Sequence, residues 1–173
     1  WNQVSAPNGA TEYADGLYRI WVNEPNLDVW ARPGMDLGDV SIEVDALKVA
    51  GERNNRFGLI CRLTGANSFY VFLISSDGFY GIGKVINGQF WLISDERLRS
   101  SPLIRTGSTA NSLRADCVGS SLALYVNGKK LAEVQDTELL SGDVGLFAGA
   151  YETSGVDIRF DNFVVRDFKP ATP

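Results

Sequence analysis

The stretch 111–134, NSLRADCVGSSLALYVNGKKLAEV, constrains the fold of this chain more than any other. Residues 113–118 and 122–126 alternate between apolar and polar, and Asn127-Gly128 then leads into 129–134. Asn-Gly between alternating runs is the strongest short-range hairpin signal, because both residues tolerate the positive φ of a type I′ turn. The stretch therefore predicts three short antiparallel strands in a meander.

Turn signals recur about every 8 to 12 residues along the rest of the chain, the spacing of an all-β sandwich. Strands are expected at 17–22, 28–32 and 40–49. In the last of these Val40, Ile42, Val44 and Ala46 share one face, and Ser41, Glu43 and Asp45 the other. In 57–63 the apolar face is Phe57, Leu59, Cys61 and Leu63, with Arg62 opposite. Residues 69–75 are apolar on both faces, which marks a central strand. Asp77-Gly78 and Asn87-Gly88 predict further tight hairpins, and 94–109, with Pro102 and several arginines, a long surface loop. Strands at 143–151 and 156–166 close the domain. No segment shows a 3.6-residue apolar period, so helix is expected below about one tenth and strand near about half.

The fold class that follows is all-β, a two-sheet antiparallel sandwich. Its organisation is an N-terminal arm (1–16), one domain (17–168) and the start of a Pro/Thr linker (169–173), which implies further modules of the same polypeptide. Glu43, Asp45, Arg62, Arg114, Asp116, Asp157 and Arg159 fall out of phase with the apolar residues of their strands. They are expected together on one outer face as a solvated ion-pair lattice, each cross-strand pair worth roughly 0.2–1 kcal/mol.

Composition removes several function classes. A chain of 173 residues with 45% hydrophobic and 21% charged residues is ordinary globular material. A net charge of −5 argues against a nucleic-acid partner. No apolar run approaches the ~20 residues of a membrane-spanning helix. Histidine is absent, which excludes a Ser-His-Asp triad, a Cys-His dyad and His-ligated zinc. The two cysteines lie too far apart for a C-x-x-C motif.

Asp39-Val-Ser-Ile-Glu-Val-Asp45, Arg56-Phe-Gly-Leu-Ile-Cys-Arg62 and Asn67-Ser-Phe-Tyr-Val-Phe-Leu73 resemble strands of the concanavalin A-like (laminin G-like) jelly-roll superfamily. So do Leu122-Ala-Leu-Tyr-Val-Asn-Gly128, Ser141-Gly-Asp-Val-Gly-Leu146 and Phe160-Asp-Asn-Phe-Val-Val165. The nearest likeness is to bacterial extracytoplasmic domains related to the 3-keto-glycoside hydrolase-like (DUF1080) set. The resemblance implies a jelly roll from residue 17 to 167. Its motifs are strand and turn positions, and the superfamily spans lectins, glycan-binding modules, adhesion domains and glycosidases, so the ligand does not transfer with the fold.

Glu43 and Asp45 resemble the start of the E-x-D-x-x-E signature of laminarinase-like glycosidases. That chemistry needs two carboxylates flanking the scissile bond. The third carboxylate is missing, since Lys48 and Val49 follow, so hydrolysis of that kind is rejected and no catalytic residue is assigned. Cys61 and Cys117 are both expected to face the core, as two buried thiols or, in a secreted protein, as a disulfide. No cofactor is required. The oxygen-rich donor set admits calcium, which laminin G-like relatives often bind at a sandwich edge; Asp157 and Asp161 are the candidate ligands, with Asp28, Asp36 or Asp39 beside them. Among the aromatic residues, Trp30, Tyr80, Trp91 and Tyr125 are the candidates for stacking on a sugar face. Three readings stand: an extracytoplasmic, secreted or cell-surface module that binds a glycan or protein without catalysis, a glycoside-processing enzyme of the 3-keto-glycoside hydrolase-like kind, and a structural or adhesive module.

Overall fold

The period-2 runs of the sequence pair into two antiparallel sheets facing one another. The computed structural model describes residues 1–168, so the linker start at 169–173 lies outside the described residues. In chain order the strands are β1 (Val4–Ala6), β2 (Gly9–Ala14), β3 (Leu17–Val22), β4 (Asp28–Ala31), β5 (Val40–Ala50), β6 (Asn55–Thr64), β7 (Ser68–Ile74), β8 (Phe79–Ile86), β9 (Gln89–Leu92), β10 (Arg99–Ser100), β11 (Asn111–Val118), β12 (Ser121–Val126), β13 (Lys129–Gln135), β14 (Asp143–Ala150) and β15 (Val156–Asp167). No helix occurs among the described residues. The larger sheet runs β1-β2-β3-β15-β5-β11-β12-β13. The smaller runs β10-β8-β7-β6-β14-β4, with β9 also paired to β8. Residues 1–16, the N-terminal arm of the sequence reading, are paired in the sheet. They add β1 and β2 to the larger sheet, and Trp1 packs edge-on against Phe163 with ring centroids 4.7 Å apart.

The meander forms as its residues dictate, with β11, β12 and β13 adjacent in the larger sheet. Asn127 and Gly128 adopt φ of 50° and 80°, and Asn87 and Gly88 φ of 52° and 82°, the two consecutive positive values of a type I′ turn. Asp77-Gly78 belongs instead to a longer connection, residues 75–78, between β7 and β8.

The core lies between the sheets. Ile20, Ile42, Val44, Leu113, Leu124 and Ile158 of the larger sheet meet Phe57, Leu59, Phe72, Ile82 and Leu146 of the smaller. Cys61 on β6 and Cys117 on β11 are joined by a disulfide across this layer, with Cα atoms 6.9 Å apart. The shared inward parity of the two residues places them opposite each other.

Just past Cys61 the alternation breaks. The β6–β7 register shifts between Cys61 and Thr64, and Arg62 takes a left-handed φ of 53°. An extra residue of this kind turns the following side chains to the opposite face. Leu63, expected inward, therefore joins the outer face of the smaller sheet beside Ile60. Arg62, expected on a solvated outer face, is only 1% exposed. Its guanidinium donates to the carbonyls of Leu139 (3.0 Å) and Gly119 (2.8 Å) and to Asp39 (3.2 Å). It pins three loops at one end of the sandwich.

Candidate functional site

The outer faces of the two sheets differ in chemistry. On the larger sheet, Glu43, Asp45, Arg114, Asp116, Asp157 and Arg159 do lie together, and almost every charge is engaged. Arg114 holds Asp116 with two bonds of 3.0 and 2.8 Å and stacks over Tyr125 at 3.9 Å. Arg19 and Arg159 bind one oxygen each of Asp157, at 2.9 and 3.0 Å. Glu43 meets Arg166 at 2.5 Å, and Asp45 accepts from Asn162 at 2.9 Å. The carboxylates that resembled a glycosidase signature are thus tied to neighbours on the sheet.

The same pairing bears on the candidate metal ligands. Both oxygens of Asp157 already face guanidinium groups, and Asp161 sits two turns of the ladder away, opposite Asp45. Asp28 is bound to Arg56, and Asp39 to Arg62 and the Gly119 amide. Among the described residues no group of three or more acidic, cysteine or histidine side chains converges on a cation position.

The smaller sheet is apolar on its outer face. Ile60, Leu63, Phe69, Val71, Leu73 and Phe147 form a second cluster, separate from the main core, against which Trp30, Val85 and Leu98 pack. The strand register explains it: Trp30, Phe147, Gly58, Leu73 and Gly81 occupy one cross-strand row, and Ile60, Val71, Gly83 and Leu92 the next. Glycines keep the floor low where other groups lie down on it. A Cβ at Gly81 would stand 2.8 Å from methyl carbons of both Leu92 and Leu98, and one at Gly83 would strike the Phe90 ring.

The result is a groove of about 380 Å³. Aromatic surface comes from Trp30, Phe69, Phe90, Phe147 and Tyr151, and the rings of Trp30 and Phe69 sit 5.5 Å apart. Polar groups are confined to its ends. At one, Arg56 binds Asp28 through Nε (2.5 Å) and stacks on Tyr151 at 4.2 Å, and its terminal nitrogens make no hydrogen bond among the described residues. At the other lies Asn67, whose carbonyl accepts from the Gly88 amide in the β8–β9 turn. Beyond Leu98 and Tyr151 a second depression of about 300 Å³ opens, lined also by Asn54, Ser75, Asp77, Phe79 and Arg97.

A polar lock closes the opposite side of the smaller sheet. Tyr70 donates to Asp136 (2.5 Å) and accepts from the Leu139 amide (3.0 Å), while Lys84 reaches Asp136 and Glu138, each at 2.7 Å. Burial pushes the Asp136 carboxyl up, but the bonds from Lys84, Tyr70 and the Glu138 amide outweigh it and hold the group below its usual range. The same bonds to Asp136 and Glu138 raise the Lys84 ammonium well above its ordinary value.

Of the four aromatics expected at a site, Trp30 lines the groove. Tyr80 faces the interior, packed against the main core. Trp91 is out of phase with Phe90 and Leu92, pairs with Lys84 and projects at the sandwich edge, 44% exposed. Tyr125 lies under Arg114 on the other sheet. Phe69, Phe90, Phe147, Tyr151 and Arg56 were not among the expected residues, and Asp28 was expected only beside a calcium ion. The signal that pointed to them was the two-sided apolarity of 69–75, which requires something to happen on the second face.

No family model matches this sequence, and neither does any curated protein. Solved structures do match in shape. The carbohydrate-binding module CBM66 from Bacillus subtilis superposes with a TM-score of 0.65 at 16% identity, covering 96% of this chain and 91% of that one. A Bacillus subtilis protein of unknown function with a galectin-like fold gives 0.68 at 10% identity, covering 92% and 87%. Sheep galectin-11, in complex with glycerol, gives 0.56 at 13% identity, covering 83% and 100%. At such identities the likeness speaks for architecture alone, and the architecture it establishes is an antiparallel β-sandwich jelly roll.

Proposed function

We propose that this chain is a non-catalytic carbohydrate-binding module that acts outside the cytoplasm as part of a larger polypeptide, with its site in the groove of the smaller sheet. The observation that carries the reading is the aromatic floor and wall framed by polar ends. The flat C–H face of a pyranose stacks on aromatic rings, while its hydroxyls need donors and acceptors at the periphery. Trp30, Phe69, Phe90 and Phe147 supply the first; Arg56, Asp28 and Asn67 supply the second. Among the described residues Asp28 is the single carboxylate of the groove lining and is tied to Arg56, whereas glycoside hydrolysis needs two carboxylates flanking one bond. Binding without turnover fits this set better than catalysis. The disulfide suits an oxidising compartment. The carbohydrate-binding module and galectin among the similar structures support the same reading, and the strand and turn motifs keep the 3-keto-glycoside hydrolase-like domains as its proposed kin.

The test is a glycan array probed with the purified domain, with and without calcium, alongside Trp30→Ala and Arg56→Ala. One glycan class should be retained, independently of calcium, and each substitution should weaken retention at least about tenfold, equivalent to about 1.4 kcal/mol. Retention of no glycan, or retention that ignores both substitutions, overturns the proposal.

A further inference from the structure

The groove and the second depression share two walls, Leu98 and Tyr151, yet differ in lining. The groove offers flat apolar surface. The depression, of about 300 Å³, offers side chains that hydrogen-bond: Asn54, Ser75, Asp77 and Arg97. Two of these are ordered from below. Ser75 is 3% exposed, its hydroxyl donates to the Asp77 carboxylate and it accepts from the Phe79 amide at 2.9 Å. Asp77 is thereby held with one oxygen engaged, and Asp77, Arg97 and Asn54 are all exposed. Arg56 lies where the compartments meet, stacked on the shared Tyr151.

We infer that the site takes an oligosaccharide rather than a single sugar, with one unit stacked in the aromatic groove and the next passing over Leu98 and Tyr151 into the polar depression. The inference rests on the carbohydrate reading and deepens it. A single pyranose fits within the groove's about 380 Å³ and leaves the second compartment to water. A chain uses both. Its second unit replaces that water with a mixed donor and acceptor set, Arg97 and Asn54 donating and Asp77 accepting, which suits adjacent hydroxyls on one ring. Affinity should therefore step up between one unit and two, then level off.

Nitrogen-15 NMR titrations with homo-oligosaccharide ladders of glucose, xylose, galactose, fructose and galacturonate, one to six units long, read this directly. In at least one ladder the dissociation constant should fall at least tenfold from the monosaccharide to the disaccharide. Amide signals of Ser75 and Asp77 should move only from the disaccharide onward, while those of Phe69 and Phe147 move with the monosaccharide too. The double substitution Arg97→Ala with Asn54→Ala, at exposed positions outside the core, should cut the step below threefold and leave monosaccharide affinity unchanged. Trp30→Ala should weaken every member of the ladder alike. Equal affinity for one and two units, or a step that survives the Arg97/Asn54 double substitution, overturns the two-compartment inference while leaving carbohydrate binding intact. No response to any ladder overturns the carbohydrate reading itself, and this inference with it.

Discussion

The two outer faces of this sandwich are built on the same backbone geometry and reach opposite solutions. On the larger sheet the outer face of β5, β11 and β15 carries Glu43, Asp45, Arg114, Asp116, Asp157, Arg159 and Arg166, and the charges answer one another: Glu43 with Arg166, Arg114 with Asp116, and Asp157 with Arg19 and Arg159. On the smaller sheet the same positions hold Ile60, Phe69, Val71, Leu73 and Phe147. The first face spends its polar groups on itself and meets water as a saturated lattice. The second buries these residues beneath Trp30, Val85 and Leu98 and leaves an apolar groove of about 380 Å³ among them. Contiguous apolar surface on a soluble domain marks recognition more often than chance. Under the proposed function, the difference gives support to one face and binding to the other.

The largest expected effect tests whether the faces depend on one another. Replacing Cys61 and Cys117 together by alanine removes the covalent tie between the sheets, and closing so long a loop is worth about 4 kcal/mol in the chain-entropy model. Thermal and urea unfolding should show a loss near that size. Well below the melting temperature the groove should keep its ligand affinity within about twofold, because every lining residue lies on or beside the smaller sheet. A loss under about 1 kcal/mol contradicts the role given to the bridge.

Next in size is the substitution of an outward residue of the smaller sheet by its opposite type. Val71 is 3% exposed although it points away from the main core. Val71→Asp buries an unpaired carboxylate among Ile60, Leu73 and Phe69 and should cost about 3 kcal/mol. A charge at that position tolerated within about 0.5 kcal/mol in urea unfolding makes the groove floor as wet as the other face, and the contrast between them disappears.

A smaller effect follows from pH. The Asp136 carboxyl is depressed in the folded state, so its contribution is fully present above the unfolded value, near 3.9. It is lost as pH falls through the folded value below that. Lys84 works in the other direction: its contribution is present below the ordinary lysine value and fades only as pH rises past it. Stability should be level from about pH 5 to 9 and decline below about pH 4. Asp136→Asn should flatten that acid decline, measured as unfolding free energy against pH; an unchanged slope removes Asp136 as its source.

How much of this was legible in the sequence depends on range. The meander, the Asn-Gly turns and the inward parity of Cys61 and Cys117 rest on local alternation and turn chemistry, and they read correctly. Local alternation failed where one residue broke it. The left-handed Arg62 shifts the register of β6, sends Leu63 outward and draws a guanidinium inside, and a non-glycine residue at positive φ leaves no mark in a hydrophobic pattern. The groove was half legible. Residues 69–75 announced a strand apolar on both faces, but which other residues share its outer face is a matter of strand order. Trp30 and Phe147 arrive there from distant segments through the β4–β14–β6 pairing. Tyr80, Trp91 and Tyr125 were plausible by composition and were separated by the topology, one to the interior, one to the edge and one to the other sheet.

The smallest expected effect is also the sharpest check on which face does the binding. Glu43 and Asp45 stand on β5 with their side chains outward; Glu43 is 38% exposed and its partner Arg166 is 58% exposed. Exposed ion pairs contribute between about 0 and 1 kcal/mol, because water screens the charges and both long side chains lose freedom in meeting. Asp45 adds one hydrogen bond from Asn162, also at the surface. Replacing both residues by alanine should therefore lower the unfolding free energy by less than about 1 kcal/mol. Glycan affinity should not change, since neither residue lines the groove or the adjoining depression. If the double variant keeps its circular dichroism spectrum and melting temperature but loses glycan retention, the charged face is the binding face, and the apolar groove must be covered by something other than sugar.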